Sequence, residues 1–370
     1  GIVGGDSGVG GTVAVNGGTV AAAGGYNGAA EAGADAAKAT AAMAQFVFVQ
    51  DGSIAAGAGK VEPADGKIKI SASDASGASF ALGQYMRHTA KINIIWCGNR
   101  TIETYPVPTE AVTYTPAVPV RFAYNYCTLS YTMAFWSEKE WREEIDRLAL
   151  SGYNVALVLQ GLQEAWRVTL ESVTKANGDR VYSDEQIMKY VADEAAQAWW
   201  HMGNLEGLGG PLGGEKGKYD APGAYDAFKV RTAADAQLGE YIYAEMMKLG
   251  IQPSIQSFVG LVPDCSNGIL GAGYANGARF DADSNFTIIN EGAWQGYTRP
   301  DVVNPLNIAF DEMSKYWYGA LVSIYKPEVN GYTSYMGGDL FHEGGNKGSL
   351  TDTDLANIAV KIQNTQNAYF

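Results

Sequence analysis

RFAYNYCTLSYTMAFWSEKEWREEIDRLALSGYNVALVL, residues 121–159, contains a complete unit of alternating structure. Phe122 to Cys127 predicts a strand. Ser137-Glu138-Lys139-Glu140 is a capping box, which opens a helix, and Gly152 is typical of the residue that ends one. Asn154 to Leu159, apolar from Val155 onward, predicts a buried strand. A strand, a helix and a buried strand in this order predict a parallel pair joined by a right-handed crossover.

The same alternation continues to the end of the chain. In chain order, we predict a helix from the capping box Ser183-Asp184-Glu185-Gln186 to about Trp200, a helix from about Ala233 to Leu249 stopped by Gly250, a strand over Ile251 to Phe258, a helix over Asn307 to Tyr325, a strand over Tyr332 to Met336, and a last helix capped by Thr351-Asp352-Thr353-Asp354. Four strand-then-helix units in a row predict a parallel sheet. They amount to the first half of a (β/α)8 (TIM) barrel.

Residues 1–118 differ in composition and predict a small N-terminal α/β domain. The first 60 residues are rich in glycine and alanine and stay poorly assigned. The remaining predictions here are strands at Thr12 to Val15, Gln45 to Val49, Lys67 to Ile70 and Ile92 to Ile95, and helices at Ala29 to Ala44 and Ser79 to His88. Four prolines between Pro106 and Pro119 mark the boundary, so residues 119–370 form the barrel part.

Composition and charge exclude several classes of protein. Apolar residues make up 46% of the chain and charged residues 18%, which disfavours intrinsic disorder. The net charge of −14 disfavours nucleic acid and anionic membranes as partners. No apolar run is long enough for a membrane-spanning helix. Gly1 opens the chain without a basic leader, so we expect an export signal to be absent or already removed.

Two short patterns resemble known chemical motifs, and each lacks an essential part. Gly57 to Lys60 is followed by Val61, so the hydroxyl that a phosphate loop supplies to magnesium is missing. His342-Glu343 lacks the second histidine of a zinc-binding helix. The three histidines are scattered, and the three cysteines, Cys97, Cys127 and Cys265, match no metal-binding or redox spacing. We therefore expect neither a cofactor nor a metal.

Chemically versatile side chains gather after the predicted strands, where barrel enzymes place their catalytic groups. The segments are Tyr124 to Thr128, Gln160 to Trp166, Trp199 to Leu205, Phe258 to Pro263, and Gly338 to Gly345. The last one holds Glu343 among glycines, at the end of the fourth strand. A carboxylic acid there suits a general acid for a glycosidic oxygen, because glycines let a sugar approach closely.

These segments resemble the α-N-acetylglucosaminidase family, glycoside hydrolase family 89. The matching pieces are Asn125 to Thr128, Trp141 to Ala156, Met202 to Leu205, Gly210 to Leu212, and Asp339 to Glu343. Each is short, but the five stand in order with compatible spacing over roughly residues 60–365. The resemblance implies a small α/β domain, then a (β/α)8 barrel, then an α-helical domain.

The resemblance also implies an activity and a site. Members of the family remove terminal α-linked N-acetylglucosamine from glycans with retention of configuration, using two glutamates. Carried over to this sequence, Glu343 is the acid/base. The residues implied to line the sugar pocket are Asn125, Cys127, Trp199, Trp294 and His342.

The family's second glutamate, the nucleophile, lies on a later strand than any in this chain. We therefore expect the complementary C-terminal barrel half and the helical domain to be its partners. The alternative is a non-catalytic carbohydrate-binding fragment or partner chain that lacks the nucleophile. Because such glycans are extracytoplasmic, the resemblance implies a secreted or periplasmic protein, lysosomal by analogy in animals.

Overall fold

A computed structural model of the chain describes residues 12–15, 18–21, 41–92, 95, 102–174, 177–191, 198–207, 221–263, 288–289, 291–294, 297–341 and 347–370. The chain divides into two compact units. The first unit comprises residues 1–124, 136–157 and 241–253, and the second comprises 125–135, 158–240 and 254–370. The domain boundary at residue 118 stays a prediction.

The described residues between 12 and 114 form mainly a small mixed sheet with a helix packed against it. Its elements are β1 (Thr12–Val15), β2 (Gly18–Ala21), β3 (Phe46–Gln50), β4 (Gly59–Ala64), β5 (Lys67–Ala72), α1 (Ala75–Tyr85) and β6 (Val112–Tyr114). The sheet order is β3-β5-β4-β6, with β3 and β5 parallel and the other pairs antiparallel. Ile68, Leu82 and Tyr85 are fully buried between sheet and helix.

The rest of the chain alternates strands and helices as predicted. Its elements are β7 (Phe122–Ala123), α2 (Glu138–Ser151), β8 (Val155–Leu157), α3 (Leu162–Ser172), α4 (Asp184–Val191), α5 (Ala198–His201), α6 (Ala224–Lys248), β9 (Gln252–Gln256), β10 (Leu261–Val262), β11 (Ile288–Ile289), β12 (Ala293–Trp294), β13 (Tyr297–Thr298), β14 (Asp301–Val303), α7 (Ile308–Tyr325), α8 (Pro327–Asn330), β15 (Met336–Gly337) and α9 (Asp352–Gln366). Strands β7, β8, β9 and β15 are neighbours in that order in one sheet. The pairs β7–β8 and β9–β15 are parallel. The predicted α/β class and parallel sheet are confirmed.

Helix boundaries follow the local signals in the sequence. Ser137 and Glu140 form the predicted capping box of α2, and Gly152 ends that helix with a φ of 89°. Ser183 and Gln186 cap each other's backbone before α4. Thr351 does the same with Asp354 before α9. These caps depend on residues three positions apart, so the sequence alone is sufficient to find them.

Several predicted bounds are wrong, each for a local reason. The strand predicted over Phe122 to Cys127 ends at Ala123, because Tyr124 has a φ of 80° and cannot continue it. The strand predicted at Tyr332 to Met336 pairs only from its end, since the Thr333 hydroxyl accepts the Tyr335 N–H in a local turn. Helix α1 begins four residues earlier than predicted because Asp74 accepts the Gly77 N–H and caps it.

Other differences are omissions. Helix α6 begins at Ala224, well before the predicted start at Ala233. Helix α3 and the short antiparallel strands β10 to β14 were not predicted at all. The helix predicted at Ala29 to Ala44 and the strand predicted at Ile92 to Ile95 fall largely on residues outside the described ones.

The core of the second unit is built from aromatic side chains on α3, α7 and the end of β9. Trp166, Phe258 and Trp317 contact one another, and Phe310 packs against Phe258. All four are nearly inaccessible to solvent. Burying side chains of this size stabilises a domain by about 2–3 kcal/mol each. This core fixes the strand ends from which the candidate site is built.

Candidate functional site

The candidate site lies at the carboxyl ends of the parallel strands. Because the strands run in the same direction, their carboxyl ends share one edge of the sheet. The residues that follow β7, β8, β9 and β15 at this edge, from Asn125 onward, all belong to the second unit.

The segment after β7 turns sharply and exposes two of the predicted sugar contacts. The Oδ1 atom of Asn125 accepts hydrogen bonds from the Thr128 N–H at 2.8 Å and from the Thr128 hydroxyl at 3.0 Å. This local bond starts a π-helical turn at Thr128–Thr132. Asn125 and Cys127 are exposed, and Cys127 carries a free thiol.

Tyr126, which follows the first strand of the parallel sheet, interacts electrostatically with Asp339, which follows the fourth. Asp339 is exposed two residues after the end of β15. Burial of the Tyr126 hydroxyl raises its pKa, and the nearby Asp339 carboxylate raises it further. The segment that leads to Glu343 therefore starts close to the segment that carries Asn125 and Cys127.

Hydrogen bonds to side chains of two helices fix the turn that follows β8. Gly161 has a φ of 97°, and its N–H donates to Asp235 Oδ2 at 2.7 Å. The Gln160 carbonyl accepts from the Tyr325 hydroxyl at 2.9 Å. Burial raises the pKa of the Asp235 carboxyl to about 6. These bonds come from α6 and α7 and hold the turn between β8 and α3 in place.

Trp199 and its neighbours lie on the single turn of α5. Trp199 is half-buried, whereas Trp200 is 5% exposed and its indole N–H donates to the Tyr190 carbonyl at 2.8 Å. His201 Nδ1 lies 2.8 Å from the Ser130 hydroxyl oxygen, in the π-helical turn after Cys127. Of the two tryptophans, Trp199 is the more exposed.

The ends of β9 and β15 form a rigid apolar support. The Trp317 indole N–H donates to the Gln256 carbonyl at 3.1 Å, and the Tyr318 hydroxyl accepts the Phe258 N–H at 3.1 Å. A Cβ atom at Gly338 would lie 2.5 Å from Val259 Cγ1. The segment that follows β9 thus favours glycine at 338, a packing reason in addition to the substrate access expected from the sequence.

Trp294 lies in the β12–β13 hairpin, and the structure describes the backbone of this residue. A buried ion pair closes the base of the hairpin, with Arg299 Nη1 3.4 Å from Glu291 Oε2. The Glu291 N–H donates to Asp301 Oδ1 at 3.1 Å. Asp301 belongs to β14, which pairs with β10 just after β9. The hairpin is therefore tied to the same edge of the sheet.

The structure thus brings together part of the predicted site. Asn125, Cys127 and Trp199 stand in the second unit, at segments joined by the Ser130–His201 hydrogen bond. His342 and Glu343 lie outside the described residues, so their assignment stays a prediction. Sequence reasoning missed the roles of Tyr126, Asp339 and the Ser130–His201 pair. Tyr126, His201 and Asp339 lie inside the segments singled out at the strand ends, whereas Ser130 lies two residues beyond the first of them.

Within the described residues, no group of three His, Cys, Asp or Glu side chains is arranged to hold a metal ion. Within the same residues, no helix combines the length and the apolar character needed to cross a membrane.

Comparison with known proteins identifies the family. The sequence model of the alpha-N-acetylglucosaminidase (NAGLU) tim-barrel domain matches residues 121–369. The chain belongs to the α-N-acetylglucosaminidase family. Human (Homo sapiens) alpha-N-acetylglucosaminidase is 27% identical over 205 residues, which are 54% of this chain and 24% of the human protein.

Solved structures of family 89 glycoside hydrolase from Clostridium perfringens resemble the chain as well. One, a variant with two glutamates replaced by glutamine, is in complex with its substrate GlcNAc-α-1,4-galactose. It is 26% identical with a TM-score of 0.69, over 88% of this chain and 33% of that chain. Another, in complex with 2-acetamido-1,2-dideoxynojirimycin, is 27% identical with a TM-score of 0.67, over 88% and 34%. The chain spans about a quarter to a third of the length of these relatives.

Proposed function

We propose that the protein carrying this chain is a retaining exo-glycosidase that removes terminal α-linked N-acetylglucosamine from glycans, with Glu343 as the acid/base. The family match over residues 121–369 supports the reaction class. The bacterial relative's complex with GlcNAc-α-1,4-galactose supports the substrate class. That relative was trapped with two glutamates replaced by glutamine, in keeping with a two-glutamate mechanism.

The proximity of Tyr126 and Asp339 carries the proposal. Asp339 is close enough to raise the pKa of Tyr126, which lies between Asn125 and Cys127. Glu343 follows Asp339 by four residues. The acid/base segment therefore begins beside the segment proposed to hold the sugar, as a general acid within reach of the glycosidic oxygen requires.

Each proposed contact suits a different part of the sugar. The amide of Asn125 can donate to and accept from hydroxyl groups. Trp199 and Trp294 offer flat apolar faces for the pyranose ring. Cys127 contributes a small, exposed side chain to the wall beside Asn125. We place His342 next to Glu343 as a further contact of the sugar.

The proposed architecture follows the family. Residues 1–118 form a small α/β domain and residues 119–370 form the first half of the barrel. Retention requires a second carboxylate about 5 Å from the first. We propose that it comes from the complementary C-terminal barrel half, which the helical domain follows. Because the substrates are extracytoplasmic glycans, a secreted or periplasmic location is part of the proposal.

The test is the dependence of Glu343→Ala on the leaving group. A general acid matters most for a poor leaving group such as a sugar hydroxyl. The variant is expected to lose about 10²–10⁴-fold in kcat/KM on an N-acetylglucosaminyl disaccharide, and far less on an aryl glycoside with an activated leaving group. Azide, which needs no deprotonation, is expected to restore turnover of the aryl substrate and to give the α-glycosyl azide.

Glu328→Ala is the matched control, since Glu328 is an exposed acid of the second unit away from the sheet edge. It is expected to behave as wild type on both substrates. Equal losses on both substrates in Glu343→Ala without azide rescue would contradict the acid/base role. A wild-type protein that binds N-acetylglucosamine and hydrolyses neither substrate would instead favour the non-catalytic carbohydrate-binding alternative.

A further inference from the structure

One hydrogen bond joins the two described segments of the candidate site. The Ser130 hydroxyl oxygen lies 2.8 Å from His201 Nδ1, across 71 residues of sequence. Ser130 is 2% exposed and lies in the π-helical turn that follows Asn125 and Cys127. His201 ends the helix that carries Trp199. The bond therefore spans the gap between the exposed amide and thiol on one side and the half-buried indole on the other.

Helix α5 depends on tertiary contacts for its position. Its described residues, Ala198–His201, form one turn, and a single helical turn is not stable by itself in water. The Trp200 indole ties it to the Tyr190 carbonyl at 2.8 Å, and Gln256 Nε2 donates to the His201 carbonyl at 3.4 Å. Neither contact involves the turn at Ser130. Among these three hydrogen bonds, only Ser130–His201 sets the distance from α5 to that turn.

The Ser130–His201 hydrogen bond can form in every protonation state of the imidazole. A hydroxyl both donates and accepts, so Ser130 can pair with Nδ1 whether or not that nitrogen carries a hydrogen. Replacing either residue alone by an apolar one leaves the other's polar group buried or half-buried without this hydrogen bond. That lowers stability more than replacing both residues does. The pair is thus suited to hold two segments at one separation.

We propose that Ser130 and His201 are positioning residues whose hydrogen bond sets the width of the sugar pocket between Trp199 and the Asn125–Cys127 turn. This rests on the proposed function for the identity of the ligand. Neither residue is proposed to touch the substrate. Their effect is on how well the pocket is formed before the sugar arrives, and it should appear in binding more than in the chemical step.

The first experiment needs no substrate and compares amide hydrogen exchange in four variants. Ser130→Ala and His201→Leu remove the bond. His201→Asn keeps a polar atom at the place of Nδ1. His88→Leu is the matched control, because His88 pairs with Gln84 at 3.2 Å outside the second unit. Ser130→Ala and His201→Leu are expected to speed exchange about tenfold in both 198–205 and 128–132, and the other two to match wild type.

The second experiment measures KM and kcat with an aryl α-N-acetylglucosaminide. Ser130→Ala and His201→Leu are expected to raise KM about five- to tenfold and to leave kcat within about twofold, the scale of one lost buried hydrogen bond. The double variant is expected to be no worse than either single one, because both remove the same interaction. His201→Asn is expected to recover most of the wild-type KM.

Three results would overturn the proposal: unchanged exchange in 128–132 when His201 is replaced, a KM equal to wild type in Ser130→Ala, or the same loss in His201→Asn as in His201→Leu. A wild-type protein without activity or sugar binding would contradict the proposed function. The exchange comparison would then still decide whether the bond positions α5.

Discussion

At the scale of single residues, Trp199 and Trp200 are adjacent in sequence and have different surroundings. Trp200 is nearly inaccessible, and its indole N–H is bonded to the Tyr190 carbonyl. Trp199 is half-buried. The same residue type is thus nearly inaccessible at one position and partly exposed at the next.

We expect Trp199→Ala to weaken the binding of 2-acetamido-1,2-dideoxynojirimycin by about 1–3 kcal/mol, the scale of a buried aromatic contact. The midpoint of thermal unfolding should change little. Isothermal calorimetry and a thermal melt measure the two quantities. The companion variant Trp200→Ala should do the opposite, since it opens a cavity worth about 3–5 kcal/mol in the core. If Trp199→Ala lowers stability and leaves inhibitor binding intact, Trp199 belongs to the core.

At the scale of elements, the close approach of α1 and α2 depends on one glycine. Gly83 of α1 is buried, and a Cβ atom at this position would lie 1.7 Å from the Leu150 carbonyl oxygen of α2. That oxygen is backbone and cannot rotate away. The two helices therefore meet at this separation only with glycine at residue 83.

Gly83→Ala is expected to lower the free energy of unfolding by about 1–3 kcal/mol or more, because the helices must move apart. Gly319→Ala is the control, since Gly319 is an exposed residue of α7 with open space around its Cα. Alanine there should raise stability by up to about 1 kcal/mol through helix propensity. Urea unfolding monitored by circular dichroism measures both. Equal effects of the two substitutions would show that the α1–α2 contact is looser than described.

At the scale of the whole molecule, buried carboxylates shape the response to pH. Burial raises the pKa of Asp146 in the first unit to about 6, against the opposing effect of Arg142. Burial also raises the pKa of Asp235 in the second unit to about 6. In the unfolded chain both groups titrate near 4. Between about pH 4 and pH 6 the folded state therefore binds more protons, and these groups make stability fall as pH rises.

We expect Asp146→Asn to remove its share of this dependence. The difference in unfolding free energy between variant and wild type should shift in favour of the variant by about 1–3 kcal/mol from pH 4 to pH 7. Urea unfolding at several pH values provides the measurement. For Asp354→Asn, the same difference in unfolding free energy should shift in favour of the wild type as pH rises. Hydrogen bonds from Thr351 lower the Asp354 pKa, so their contribution to stability is lost in acid. A pH-independent difference for Asp146→Asn would mean that its carboxyl titrates alike in both states.

The features that could be predicted without a structure are local or periodic. Capping pairs three residues apart, such as Ser137 with Glu140, were readable because both partners lie within one helical turn. The glycine stop at Gly152 depends on one backbone conformation. The succession of apolar runs and amphipathic segments was sufficient for the parallel α/β class. The five segments at strand ends carried the family resemblance.

Tertiary structure alone decided which of those segments meet. The Ser130–His201 hydrogen bond and the effect of Asp339 on Tyr126 join residues 71 and 213 positions apart. The early end of β7 at Tyr124 also has no signal in its residue type, since tyrosine favours strands. Contacts of this kind arise from how the strands lie side by side and how the helices pack against them, and local sequence patterns do not reveal which distant residues will meet.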